Sequence, residues 1–135
     1  NWKDGMSTLI FSEYARYVDG RLYACDINPR NIKNAKKFTN KFKDNVTFYL
    51  EDSVSFLGNF KKKIDFLYLD SLDATYPNAS EHQLNEIKNS IKNLHKNSLV
   101  LLDDKVGKSS LSKNYMLDNG LTIINETEQQ ILFSS

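Results

Sequence analysis

Residues 64–70 read Ile-Asp-Phe-Leu-Tyr-Leu-Asp. The stretch is nearly all apolar and ends on an acid. Lys61-Lys62-Lys63 stand before it as a solvated turn. A short continuous apolar run is the pattern of a strand buried on both faces. A polar loop through Tyr76-Pro77 follows, and then Ser80-Glu81-His82-Gln83, which has the form of a capping box. Behind it Leu84, Ile87, Ile91 and Leu94 share one helical stripe, with lysines at 88, 92 and 96 late in the helix, where the macrodipole favours them. Residues 98–103 (SLVLLD) are a second apolar run that also ends on an acid. Strand, helix and strand in this order predict a parallel pair joined by a right-handed crossover.

The same alternation extends toward the N-terminus. Met6 to Val18 is an expected helix with Leu9, Ile10, Tyr14 and Val18 on one face, broken at Asp19-Gly20. Residues 21–26 (RLYACD) form an expected strand. Asn28-Pro29 then supplies an N-cap and a proline at the first helical position. That helix is expected to run to about Lys43 with Ile32, Ala35, Phe38 and Phe42 inward. Residues 46–50 (VTFYL) are a strand, and Ser53 to Phe60 a short helix. Toward the C-terminus a helix over 109–119 ends at Gly120, a favourable C′ residue. Residues 121–125 and 129–133 are two strands with no helix between them, hence an antiparallel hairpin. The fold class is α/β, an open and mostly parallel sheet covered by helices.

Length and composition bound the function. The chain has 135 residues, 40% hydrophobic and 26% charged, as expected of one globular domain over 1–135. No apolar run approaches a membrane span, so no membrane partner is expected. One cysteine, Cys25, excludes a disulfide framework or a Cys-rich zinc site. A net charge of +1 gives no reason to expect nucleic acid. The sequence shows no secretory or targeting pattern, and the expected location is cytoplasmic. Nothing in the sequence sets an oligomeric state.

Ligands of open α/β sheets bind at the carboxyl ends of the strands. Four strands end in acids: Asp26, Glu51-Asp52, Asp70 and Asp103-Asp104. A single terminal Asp is unremarkable, because Asp is common in turns. Four in succession are expected to line one crevice. Asp26 lies 21 positions after Gly5, the spacing of an acid that binds ribose hydroxyls. Asp52 suits an adenine amino group, or else the N-cap of the Ser53 helix. Asp70, Asp103 and Asp104 offer half of an octahedral shell for a hard cation such as Mg²⁺. The alternative is that Asp103 or Asp104 caps its own loop in solvent. His82 could take a proton from a substrate, or be a solvated residue of the first helical turn. His95 is expected near a helix C-terminus, away from the ligand rim. Asp73, Tyr76 and Trp2 are further candidate contacts, and Cys25 is expected to be a small buried hydrophobe.

The series GMSTLIFSEYA, LYACDINP, VTFYLEDS, IDFLYLDS, SLVLLDD and EQQILF resembles the class I S-adenosylmethionine-dependent methyltransferases. The nearest branch in pattern is the bacterial macrocin-type small-molecule O-methyltransferases; catechol O-methyltransferase is a more distant likeness with the same metal logic. The resemblance implies a Rossmann-like sheet with S-adenosylmethionine as cofactor and a small-molecule hydroxyl as acceptor. It implies that Gly5 and Ser7 approach the methionine part, Asp26 the ribose, and Asp52 with Ser53 the adenine. It further implies that Asp70 lies beside the cofactor and holds Mg²⁺ together with Asp103 and Asp104. Family members begin with a strand ending in E/D-x-G, which this sequence lacks. The first strand, central in the family sheet between those ending at Asp26 and Asp70, is therefore expected to be missing and the domain truncated. A regular ladder between 21–26 and 64–70 would overturn that expectation. A nicotinamide-dependent Rossmann oxidoreductase is the competing enzyme reading; it uses Gly5 and Asp26 but leaves Asp103-Asp104 without a task. An inactive methyltransferase remnant is the third.

Overall fold

The computed structural model describes residues 6–135, so Trp2 and Gly5 lie outside the described residues. The chain divides into two units, 1–56 and 57–135, and each is described by itself.

In the first unit α1 (Met6–Tyr17) precedes β1 (Leu22–Asp26), α2 (Pro29–Phe38), a 3₁₀ segment (Asn40–Asn45) and β2 (Val46–Leu50). Asp19 ends the first helix with φ 54°, and the Gly20 N–H returns to the Ala15 carbonyl at 2.7 Å. Asn28 caps α2 by accepting from the Arg30 N–H at 2.9 Å, with Pro29 in the first turn as expected. β1 and β2 run parallel, from Leu22 opposite Val46 to Asp26 opposite Leu50.

Two expectations are corrected here. α2 stops at Phe38 rather than about Lys43. The Thr39 hydroxyl donates back to the Ala35 carbonyl, and the Phe42 N–H to that of Thr39, which tightens the chain into the 3₁₀ segment. Phe42 is buried, but Phe38 is left exposed. In α1 the residues taken inward are the small ones, Ser12 and Ala15, whereas Ile10 and Tyr14 are exposed. Small side chains let the helix approach the 3₁₀ segment closely, with the Arg16 guanidinium over the Phe42 ring.

α3 (Ser53–Asn59) leads on from β2. The second unit then holds β3 (Ile64–Leu69), α4 (Ala79–Ser90), β4 (Leu94–Leu102), α5 (Ser110–Asp118), β5 (Thr122–Glu126) and β6 (Ile131–Ser134). Its sheet has the order β3-β4-β6-β5. β3 and β4 are parallel, while β6 is antiparallel to both β4 and β5, so the closing hairpin forms as expected. Val100, Leu102, Met116 and Phe133 are fully buried. Val100 faces Phe133 across the ladder, and Leu102 lies between Leu69 and Ile131. Gly120 ends α5 at φ 87°, and the Leu121 N–H reaches back to the Met116 carbonyl.

Four further corrections fall in this unit. β3 is an edge strand of its sheet, and Asp65 and Phe66 are exposed rather than enclosed. α4 starts at Ala79 without a side-chain cap, so the capping box does not form. The Ser80 hydroxyl donates instead to the Gly107 carbonyl, and Gln83 is buried. Of the expected stripe Ile87 is buried, while Leu84, Ile91 and Leu94 are half-buried, and the helix buries Ala79, Gln83, Glu86 and Ser90 beside it. The reason is that the helix ends at Ser90 and Leu94 already begins β4. That strand is pinned early by Ser98, whose hydroxyl donates to the Ile64 carbonyl at 2.7 Å. His95 therefore lies in β4, its Nε2 2.7 Å from Asp65 Oδ1, rather than at a helix end.

The described strands form two sheets, and no ladder joins β1 to β3. Among the described residues no helix is long and apolar enough to cross a membrane.

Candidate functional site

In the first unit the strand-end acids Asp26 and Asp52 hold their own loops. Asp26 closes β1, where its Oδ1 accepts from the Asn28 N–H at 2.7 Å and its Oδ2 from the Asn31 amide at 3.1 Å. The Asp52 carboxylate accepts from the Ser55 N–H at 3.0 Å, the helix-capping alternative read from the sequence. Ser53 is the first residue of α3 and Ser7 lies in the first turn of α1. Cys25 is partly buried, and its thiol donates to the Glu51 carbonyl at 3.0 Å. Burial, with Glu51 and Asp26 close by, pushes that thiol up to about 11.

In the second unit the parallel β3–β4 pair delivers three acids to one place. Asp70 follows β3, and Asp103-Asp104 follow β4. Their carboxylate oxygens lie within 4.8 Å of one another. Burial, then the charge of Asp103, raises Asp70 to about 6 against the pull of Lys108. Asp103 accepts from the Tyr68 hydroxyl at 2.8 Å, the Gln130 amide at 3.2 Å and the Asp104 N–H at 3.0 Å. Asp104 sits at φ 51°, a left-handed conformation that Asp tolerates better than most residues. Three oxygen donors at this spacing suit a hard divalent cation in kind. The Asp70 and Asp104 side chains are 41% and 50% exposed, so an ion can reach them.

Three residues at this cluster escaped the sequence reading. Tyr68 shares a strand face with Asp70, since side chains alternate along a strand, and that period was the signal available. Lys108, one turn beyond Asp104, is buried, with its Nζ 3.6 Å from Asp104 Oδ2 and 3.9 Å from Asp70 Oδ1. It donates to the Leu72 carbonyl at 2.7 Å. Glu86 is buried in α4, accepts from the Ser71 hydroxyl at 2.6 Å and lies 3.7 Å from His82 Nε2. His82 is thus tied through Glu86 to the residue after Asp70. Asp73 closes a local turn on Thr75, accepting from its N–H and its hydroxyl at 2.9 Å each. Tyr76 is exposed.

The fold and these strand ends define an α/β protein of the Rossmann-like class, with acids gathered at the carboxyl end of a parallel pair. Solved structures show the same fold. The N-methyltransferase NodS of Bradyrhizobium japonicum WM9 aligns with a TM-score of 0.63 at 16% identity, over 85% of this chain and 73% of that one. The SAH-bound methyltransferase PaMTH1 of Podospora anserina aligns at 0.75 and 13% identity, over 98% and 68%. TrmN of Thermus thermophilus aligns at 0.71 and 14% identity, over 93% of this chain and 40% of that one. Among curated proteins none matches the chain. A sequence profile described as a methyltransferase domain matches residues 3–105. The chain belongs to that methyltransferase-domain family.

Proposed function

We propose that the chain transfers a methyl group from S-adenosylmethionine to a hydroxyl of a small molecule, with Mg²⁺ assisting. The cofactor reading is supported by the family match and by neighbours such as NodS, solved in complex with S-adenosylhomocysteine. Membership of a methyltransferase family leaves the nicotinamide reading without support. The acceptor reading is carried by one observation, the Asp70–Asp103–Asp104 cluster with its oxygens within 4.8 Å. The proposed location is cytoplasmic, consistent with a single free cysteine.

S-adenosylmethionine, when bound, supplies a methyl group on a sulfonium centre, and Mg²⁺ supplies Lewis acidity toward the acceptor hydroxyl. In this proposal Gly5 and Ser7 approach the methionine part, Asp26 accepts from the ribose hydroxyls, and Asp52 with Ser53 meets the adenine. Asp26 would exchange its present loop bonds for ribose bonds at little electrostatic cost, because both partners are neutral donors. Asp70, Asp103 and Asp104 would hold the cation. Asp70 also orients the acceptor, and His82 takes its proton. The sulfonium methyl would pass to the acceptor oxygen, whose proton goes to His82, with S-adenosylhomocysteine as the leaving group. The Glu86–Ser71 link supports His82 in this role, since Glu86, held by the Ser71 hydroxyl, stands 3.7 Å from the imidazole and can orient it.

Calorimetry with S-adenosylhomocysteine and with NAD, each with and without Mg²⁺, tests the reading. Binding of the first and not the second is expected. Saturable NAD binding with no response to S-adenosylhomocysteine would sink the proposal.

A further inference from the structure

Lys108 presents a buried ammonium to an acid cluster that solvent reaches from outside. Its side chain is 1% exposed, whereas those of Asp70 and Asp104 are 41% and 50% exposed. An ammonium taken out of water needs opposite charge and hydrogen bonds to compensate. Here the Leu72 carbonyl, 2.7 Å away, supplies the hydrogen bond. Asp70 and Asp104 supply the charge from 3.9 and 3.6 Å. Asp103 is served differently, by three neutral donors: Tyr68, Gln130 and the Asp104 N–H. The acids least provided with neutral donors are those that face the lysine.

We infer that Lys108 is the resident counter-ion of the Asp70–Asp103–Asp104 cluster, and that a divalent cation enters the cluster only in competition with its ammonium. The competition rests on the metal-assisted reading above; the counter-ion role does not. With the lysine in place the three carboxylates tolerate one another without metal. A doubly charged ion arriving beside it meets repulsion through a medium less polarisable than water. Lys108 is in this sense a positioning residue. It holds the Leu72 loop against the segment after β4 and sets how strongly the acids attract an ion.

The test uses the full chain, Lys108→Met and Lys108→Met/Asp104→Asn. Each is melted without metal and titrated with Mn²⁺ by electron paramagnetic resonance. Lys108→Met is expected to melt below the parent, and Asp104→Asn to recover most of that loss by removing one uncompensated charge. Lys108→Met is also expected to bind Mn²⁺ at least about tenfold more tightly than the parent, and Asp104→Asn to reverse the gain. Equal Mn²⁺ affinity in parent and Lys108→Met overturns the competition. If neither chain binds Mn²⁺, the metal-assisted reading fails instead, and melting alone decides the counter-ion role. Failure of Asp104→Asn to restore stability then overturns it. If Lys108→Met does not fold, folding of the double variant supports the role and its failure to fold overturns it.

Discussion

The Tyr68 hydroxyl donates to Asp103 Oδ2 at 2.8 Å, linking the end of β3 to the acid pair after β4. It also reaches Asp70 Oδ2 at 3.3 Å. Burial, the bond to Asp103 and the charge of Asp70 hold this phenol well above the usual tyrosine range, so it stays a donor. Tyr68→Phe is expected to cost about 1.5–3 kcal/mol, the worth of a hydrogen bond to a charged acceptor. Urea denaturation of the two chains measures the difference. A variant as stable as the parent would show that water replaces the phenol without loss.

Asp70 gives the chain a pH dependence of known sign. Its folded-state value, about 6, lies above its ordinary 3.8. Between those values the folded chain binds the extra proton and the unfolded chain does not, so this contribution to stability falls as pH rises. It is present in full below 3.8 and lost above about 6. Asp70→Asn is expected to flatten this component in melts taken across the interval. Superimposable pH profiles for variant and parent would rule it out.

Asp103→Asn with Asp104→Asn should abolish the response to Mg²⁺, because two of the three anionic donors become neutral. Methyl transfer from labelled cofactor to hydroxylated acceptors, with and without Mg²⁺, reads this directly. Unchanged turnover with an unchanged metal response counts against the site.

Asp26→Ala removes the acceptor proposed for the ribose. Loss of a charge-assisted hydrogen bond predicts binding of S-adenosylhomocysteine weaker by about tenfold or more. Calorimetry on the folded variant measures it, and an unchanged affinity would remove Asp26 from the cofactor site.

Leu102 is fully buried between Leu69 and Ile131. Leu102→Ala is expected to destabilise the second unit by about 2–5 kcal/mol, from lost burial and the cavity left behind. A loss below about 1 kcal/mol would mean that the strands close over the gap.

The parts of the fold legible in the sequence are those fixed by local chemistry. Asn28-Pro29 caps its helix, Gly120 ends one at φ 87°, and the apolar runs 64–69 and 99–102 become paired strands. The acid cluster was legible too, because a strand end is a fixed address in this fold class. What was not legible depended on distant partners. Ser80 and Gln83 have the letters of a capping box, but Ser80 is drawn to Gly107, 27 residues away. Leu94 continues a helical stripe in sequence, yet Ser98 holds the Ile64 carbonyl and makes the segment a strand. Lys108 carries no local signal, because its partner, the Leu72 carbonyl, lies 36 residues earlier. Glu86 carries no local signal either, because Ser71, which donates to it, comes from the loop after β3.

Cys25 carries a practical consequence. With its thiol near 11, only about one molecule in ten thousand holds the thiolate at neutral pH. Alkylating reagents attack the thiolate, so the folded chain should resist them while β1 stays paired with β2. As this is the sole cysteine, a change in labelling rate is assigned to that strand pair without ambiguity. The first unit thus comes with its own chemical stopwatch, and no probe needs to be introduced to read it.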